Sequence, residues 1–237
     1  MSQRNPEFQR QLWLNWRPSL LAWSLGLSLL ILALPFALSS AKGLPGTLSM
    51  TAIAGLYLAA IIYGSVLAGR SLAEEASQNT WDWQRLSVLT PWQMAWGKLL
   101  GATLPAWLYV LWFALAVVGV THFWALEPLK LQHTIGLAVI WGLGLQAWAM
   151  NSVLMSWGLR DRPINRRRAA LMPLLILFFA PGPLITPVYK AIVDFDVEPV
   201  FWWGLDVGGL GLAYLAGTLV LGLGLLALWR QLCTRLD

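Results

Sequence analysis

Several stretches of this chain are too long and too apolar for a water-soluble fold. Leu20 to Leu38, Leu48 to Ala68 and Thr134 to Leu159 contain no Asp, Glu, Lys or Arg. Roughly twenty such residues as a helix span the hydrocarbon of a bilayer. A backbone at that depth has no water to bond, so each run must satisfy its own peptide groups by forming a helix. Composition agrees: 58% of the 237 residues are hydrophobic, only 11% are charged, and the mean hydropathy is +0.62. A soluble domain of this size carries far more charge on its surface. The 16 tryptophans suit the headgroup interface. The expected class is an all-α membrane protein with six transmembrane helices, built as one domain over residues 1–237.

In order, Asn5-Pro6-Glu7 reads as a cap, a first-turn proline and a first-turn acid. Phe8, Leu12 and Trp16 follow at helical spacing, with Arg10 and Arg17 turned away, and Pro18 ends the element. Residues 1–18 are therefore expected to hold an interfacial amphipathic helix, although a frayed leader also fits a chain terminus. Spans are expected at Leu20 to Leu38, at Leu48 to Ala68, at about Lys98 to Thr121 with a kink at Pro105, and at Thr134 to Leu159. Ser39-Ser40-Ala41 could pass for a processing site, but the apolar run before it is too long for a usual signal peptide. A fifth segment starts at Ala169 and meets Pro181, Gly182, Pro183 and Pro187, which predicts a broken helix. The last span runs from about Leu205 to Trp229.

Basic residues orient these spans. Arg4, Arg10, Arg17, Arg70, Arg85, Lys98, Arg160, Arg162, Arg166, Arg167, Arg168, Arg230 and Arg235 fall on one side, and Lys42, Lys130 and Lys190 on the other. The positive-inside rule then gives six spans with both termini in the cytoplasm. Net charge is +5, and topology explains it without invoking nucleic acid.

The apolar runs hold almost nothing ionisable, Asp206 at the start of the last span being the exception. Ion-coupled carriers usually keep a charge at depth, so this weighs against secondary transport. Gly97-Lys98 is followed by Leu99 where a phosphate loop needs Ser or Thr, so no nucleotide site is read. His122 and His133 flank one outer loop with Glu127 as the sole local acid, which is too few ligands for zinc. The chain is not expected to be an enzyme, and no catalytic or metal-binding residue is assigned. Cys233 is the single cysteine, so no internal disulfide exists. The basic loop Arg160 to Arg168, with Arg166, Arg167 and Arg168 at its end, fits a topology signal, an anionic-lipid contact or a partner contact. Gly97 and Gly101, Gly204 and Gly208, and Gly209, Ala213 and Gly217 repeat at four-residue spacing, which permits close helix packing within one subunit or across a dimer seam.

The longest polar run is Ser71 to Trp92. At helical spacing Glu75, Gln78, Asp82 and Arg85 share a face, while Leu72, Ala76, Trp83 and Leu86 lie largely on another. Glu74 and Glu75 read as a surface pair. Leu89-Thr90 breaks the helix before Pro91, and Thr90-Pro91-Trp92-Gln93 reads as a capping box that starts the next helix. This polar elbow suits a handle gripped by a cytoplasmic partner.

Glu75, Leu89-Thr90-Pro91 and Gly97-Lys98-Leu99-Leu100-Gly101, set in this architecture, resemble the permeases of ABC-2 type transporters. The resemblance implies a permease subunit of an ABC exporter in a bacterial cytoplasmic (inner) membrane. It implies that residues 71–97 form a cytoplasmic coupling segment whose helix docks on a separate ATPase subunit. Its interface residues would be Glu74, Glu75, Gln78, Trp81, Asp82, Arg85, Thr90 and Pro91. No cofactor is expected in this chain, since ATP and Mg would sit on the ATPase partner. The other expected partners are a second permease chain, identical or not, and membrane lipids. From a different class, a non-transporting scaffold or assembly factor, such as a haem-export-like component, also fits the short outer loops.

Overall fold

The computed structural model describes residues 5–38, 43–78, 89–123, 128–158, 200–202, 205–207 and 209–236. The elements are α1 (Pro6–Asn15), α2 (Pro18–Leu38), α3 (Leu44–Tyr57), a π-helical turn (Leu58–Tyr63), α4 (Gly64–Ser77), α5 (Pro91–Gly101), α6 (Leu104–Phe123) and α7 (Pro128–Gly158). Two three-residue strands follow, β1 (Val200–Trp202) and β2 (Leu205–Val207), and then α8 (Gly209–Leu236). The strands pair antiparallel, Phe201 opposite Asp206.

Among the described residues five helical stretches are long and apolar enough to cross a membrane: Pro18–Leu38, Leu44–Ser77, Leu104–Phe123, His133–Ser156 and Ala213–Thr234. The chain is thus a multi-pass helical membrane protein, and large side chains such as Trp23, Leu38 and Phe123 point outward. The fifth apolar segment, from Ala169, lies outside the described residues, as do Arg160, Arg162 and Arg166 to Arg168.

Three boundaries differ from the sequence reading. The second span does not stop at Ala68: helix continues to Ser77, with the π-helical turn inside it. The third span is two helices, because Pro105 has no N–H to give the Gly101 carbonyl. Asn15 Nδ2 donates to that carbonyl instead, at 3.2 Å, so α5 ends there and only α6 is a membrane span. The last span begins at Gly209, because Leu205–Val207 is a strand.

Contacts between spans fix their directions. Tyr57 reaches the Thr134 carbonyl and Gln146 the Ala60 carbonyl, so α3–α4 and α7 run parallel. Trp141, Trp148 and Asn151 donate to the carbonyls of Ala213, Val220 and Gly224, so α7 and α8 also run parallel. Ring contacts pair Gly55 with Phe113 and Tyr63 with Tyr109, so α6 runs the opposite way. One end of the bundle therefore gathers α1, the end of α4, α5 and the ends of α7 and α8; we call it the near end. Trp92 of α5 stacks on Trp229 of α8 there, with centroids 5.9 Å apart. Its core is Leu72, Met94, Leu99, Met150, Leu154, Leu228 and Leu232, all essentially buried.

The π-helical turn has a visible cause. Gly64 N–H turns to the Ala59 carbonyl, leaving the Ala60 carbonyl without its α-helical partner. Gln146 Nε2 supplies a donor at 2.8 Å. Gly64 leaves the room: any Cβ there would strike the Gln146 amide. A polar residue at depth thus serves the backbone of a neighbouring helix.

Candidate functional site: an ionic junction at the near end

Local sequence builds the junction's parts well. Asn5 caps α1, its Oδ1 accepting from the backbone N–H of Glu7 and Phe8, with Pro6 in the first turn. Thr90 and Gln93 form the reciprocal capping box that starts α5, with Pro91 at its first position.

Helix α1 then turns its polar stripe inward. Glu7 and Gln11 are buried, while Trp13, Leu14 and Trp16 are exposed, Trp13 at 90%. This inverts the amphipathicity of a soluble helix, and it fits a helix whose outer face meets lipid. The inward stripe lies on Gly97 and Gly101 of α5. A Cβ at Gly97 would sit 2.8 Å from Glu7 Cβ, and one at Gly101 would collide with Gln11 Cβ. These glycines therefore serve packing within the subunit. The same holds for Ala213, which is buried, and Gly217, which faces Ile140 and Trp141. Gly204 and Gly208 lie outside the described residues. Asn5 Nδ2 donates to the Gln93 carbonyl at 2.6 Å, and Asn15 pins the other end at Gly101.

Four charges meet between α1, α4 and α5. Arg10 Nε and Nη2 donate to both oxygens of Glu7, at 2.9 and 2.8 Å. Arg10 Nη2 also reaches Glu75 Oε1 at 2.6 Å. Gln11 Nε2 donates to Glu7 Oε1 and to Glu75 Oε1, each at 3.1 Å. Lys98 Nζ donates to Glu75 Oε2 and lies 3.3 Å from Glu7 Oε1. Lys98 is 2% exposed and Glu75 8%. Glu75 is therefore no surface residue, because the end of α4 is roofed by α1, an element remote in sequence. Glu74 next to it is exposed.

Electrostatics in the junction is compensated: two carboxylates face two cations. Burial pushes the Glu7 carboxyl up, but Arg10, Lys98 and Gln11 outweigh it and hold the group below its ordinary value. The hydrogen bond that Arg10 donates to Glu7 leads the effects that raise the already high Arg10 value further. Neutralised carboxylates of this kind suit a structural tie, since a general base needs a free lone pair near a substrate. Among the described residues no group of His, Cys, Asp and Glu could hold a metal ion. His133 Nδ1 lies 3.2 Å from the Tyr214 hydroxyl, and His122 packs on Phe123, both at the opposite end.

Of the residues assigned from sequence, the structure brings Glu75 into the junction and sets Gln78 at the exposed C-terminus of α4. Thr90 and Pro91 stand where the chain re-enters at α5, beside Leu89, which packs on the near-end core. Trp81, Asp82 and Arg85 lie outside the described residues. Sequence reasoning missed Glu7, Arg10, Gln11 and Lys98 as one unit. The available signal was the spacing of Glu7, Gln11 and Asn15, which marks a single polar face. The family of the chain is not assigned by comparison: no protein-family model, curated protein or solved structure matches it.

Proposed function

We propose that this chain is the membrane-spanning permease subunit of an ABC exporter, worked through its polar elbow by a separate ATPase subunit. The observation that carries this reading is the ionic junction. Both roots of the elbow, Glu75 on α4 and Lys98 on α5, are bonded to each other and to α1. A load on the segment between Gln78 and Leu89 is thereby shared among α4, α5 and the interfacial helix α1, instead of bending a loop. The break after α5 gives the load a hinge. A rigid-body switch needs such ties and hinges.

Six spans with both termini in the cytoplasm complete the reading. The chain leaves α7 at Gly158 at the near end, and parallel α8 starts at the opposite end, which favours a further crossing between them. The described basic residues Arg10, Arg70, Lys98, Arg230 and Arg235 belong to near-end halves of their elements, Arg17 lies between α1 and the start of α2, and Lys130 belongs to the other end. This favours a cytoplasmic near end. ATP and Mg would sit on the partner, and a second permease chain would complete a path. The test is co-purification from native membranes with an ATPase whose turnover rises on reconstitution. A chain that never associates with an ATPase would instead be a scaffold.

A further inference from the structure

A groove opens on the outer face of the bundle between α2 and the α3–π–α4 helix, floored by α6. It has a volume of about 780 Å³, within the usual range for ligand sites. Leu27, Ile31, Leu58, Ile62, Val66 and Phe113 give it apolar walls. Its shape comes from two local features described above. Gly55 lets the Phe113 ring come close against the backbone, and the π-helical turn carries Leu58, Ile62 and Tyr63, which line the groove. Tyr63 stands edge-on to Tyr109, with ring centroids 5.6 Å apart.

Beyond the groove's near end, one turn past its last lining residue Val66, the same helix carries Arg70. Tyr63, Val66 and Arg70 are spaced i, i+3 and i+7, so they share one helix face. Arg70 is exposed, and no described carboxylate pairs with it. Along the helix Arg70 lies about 7 Å inside the ionic junction at Glu75, and Val66 to Gly55 measures about 16 Å. The first is the thickness of a headgroup layer and the second the depth of one leaflet. An exposed arginine at headgroup level, with no described carboxylate on it, is placed to take a lipid anion.

We propose that this groove is a site for an anionic phospholipid of the bilayer, one acyl chain lying along Leu58 and Ile62, and the phosphate held by Arg70. The site does not depend on the export reading, since a scaffold would hold the same lipid. A neutral lipid would fill the walls equally well, so Arg70 is the specificity-determining residue.

The experiment uses the full chain, stripped of lipid in detergent and offered equal phosphatidylglycerol and phosphatidylcholine, with bound lipid read by native mass spectrometry. Phosphatidylglycerol is expected to be retained about tenfold over phosphatidylcholine. Arg70→Gln should remove that preference and Arg70→Lys keep much of it. Ala54→Phe, which fills the groove from an exposed wall, should lower retention of both lipids. Arg70 is exposed, so its variants leave the packing intact and remain readable if Ala54→Phe fails to fold. Equal retention of the two lipids, or an unchanged preference in Arg70→Gln, overturns the proposal. So does displacement by inorganic phosphate alone, which would remove the acyl chain from recognition. A disulfide-linked dimer through Leu58→Cys at high yield would hand the groove to a second copy and overturn it as well.

Discussion

The near-end junction and the mid-bundle seam between α7 and α8 solve the same problem by opposite means. At the junction four full charges hold α1, α4 and α5 together, with donors and acceptors matched. In the seam no charge is used: Trp141, Trp148 and Asn151 reach backbone carbonyls of α8. Depth explains the difference. Near the headgroups an ion pair keeps partial solvation through Arg10, which is 42% exposed. In the seam a charge would cost roughly 3 kcal/mol or more, whereas a helix carbonyl accepts a second bond from a neutral donor. A membrane helix bundle thus grades its polar contacts from ionic at the edge to side-chain-to-backbone in the middle.

The contrast should appear most strongly at Lys98. Lys98→Met leaves Glu75 and Glu7 buried with one cation between them, and is expected to destabilise the fold by about 3–5 kcal/mol. A thermal or denaturant melt in detergent reads this, and a loss under about 1 kcal/mol would show the junction to be solvated. Gly101→Ala comes next. Its Cβ meets Gln11 near the backbone, where nothing flexible can yield, so α1 must lift, at about 1–3 kcal/mol. A cysteine crosslink between α1 and α5 should form more slowly in that variant.

In the seam the same measurement should barely move. Asn151→Leu gives up bonds to Gly224 and Ala147, but it also removes a buried Oδ1 that has no partner. A change of about 0.6 kcal/mol, and under 2, is expected. Acid should show the smallest effect and only at the junction. The Glu7 value is lowered in the folded state, so its contribution is full above the ordinary carboxylate range and is lost as pH falls through the folded value. Docking of α1, followed by fluorescence of Trp13 or Trp16, should hold at neutral pH and weaken below about pH 4.5. Weakening between pH 6 and 8 would contradict the assignment.

Much of the scaffold was legible because it is local. Uncharged runs gave the membrane class, Asn5-Pro6-Glu7 the start of α1, and Thr90 with Gln93 the start of α5, each from contacts inside one turn. Pro105 marked the break in the third span, though not that the break would divide it into two helices. The last boundary was misplaced because a three-residue strand, Leu205–Val207, whose one polar residue is Asp206, is too short to be told by composition from the first turn of a span.

What the sequence determined on its own was an environment: uncharged runs of about twenty residues have the length of membrane-spanning helices, which satisfy their own backbone in lipid, and are too long for barrel strands. What only the tertiary structure decided was partnership. Arg10 and Glu75 are 65 residues apart, and Glu75 and Lys98 are 23 apart. Each alone has an ordinary reading as a cap acid, a surface charge or a topology signal. Periodicity reports which face of a helix is polar, but whether that face meets water, lipid or another helix depends on the neighbour that covers it.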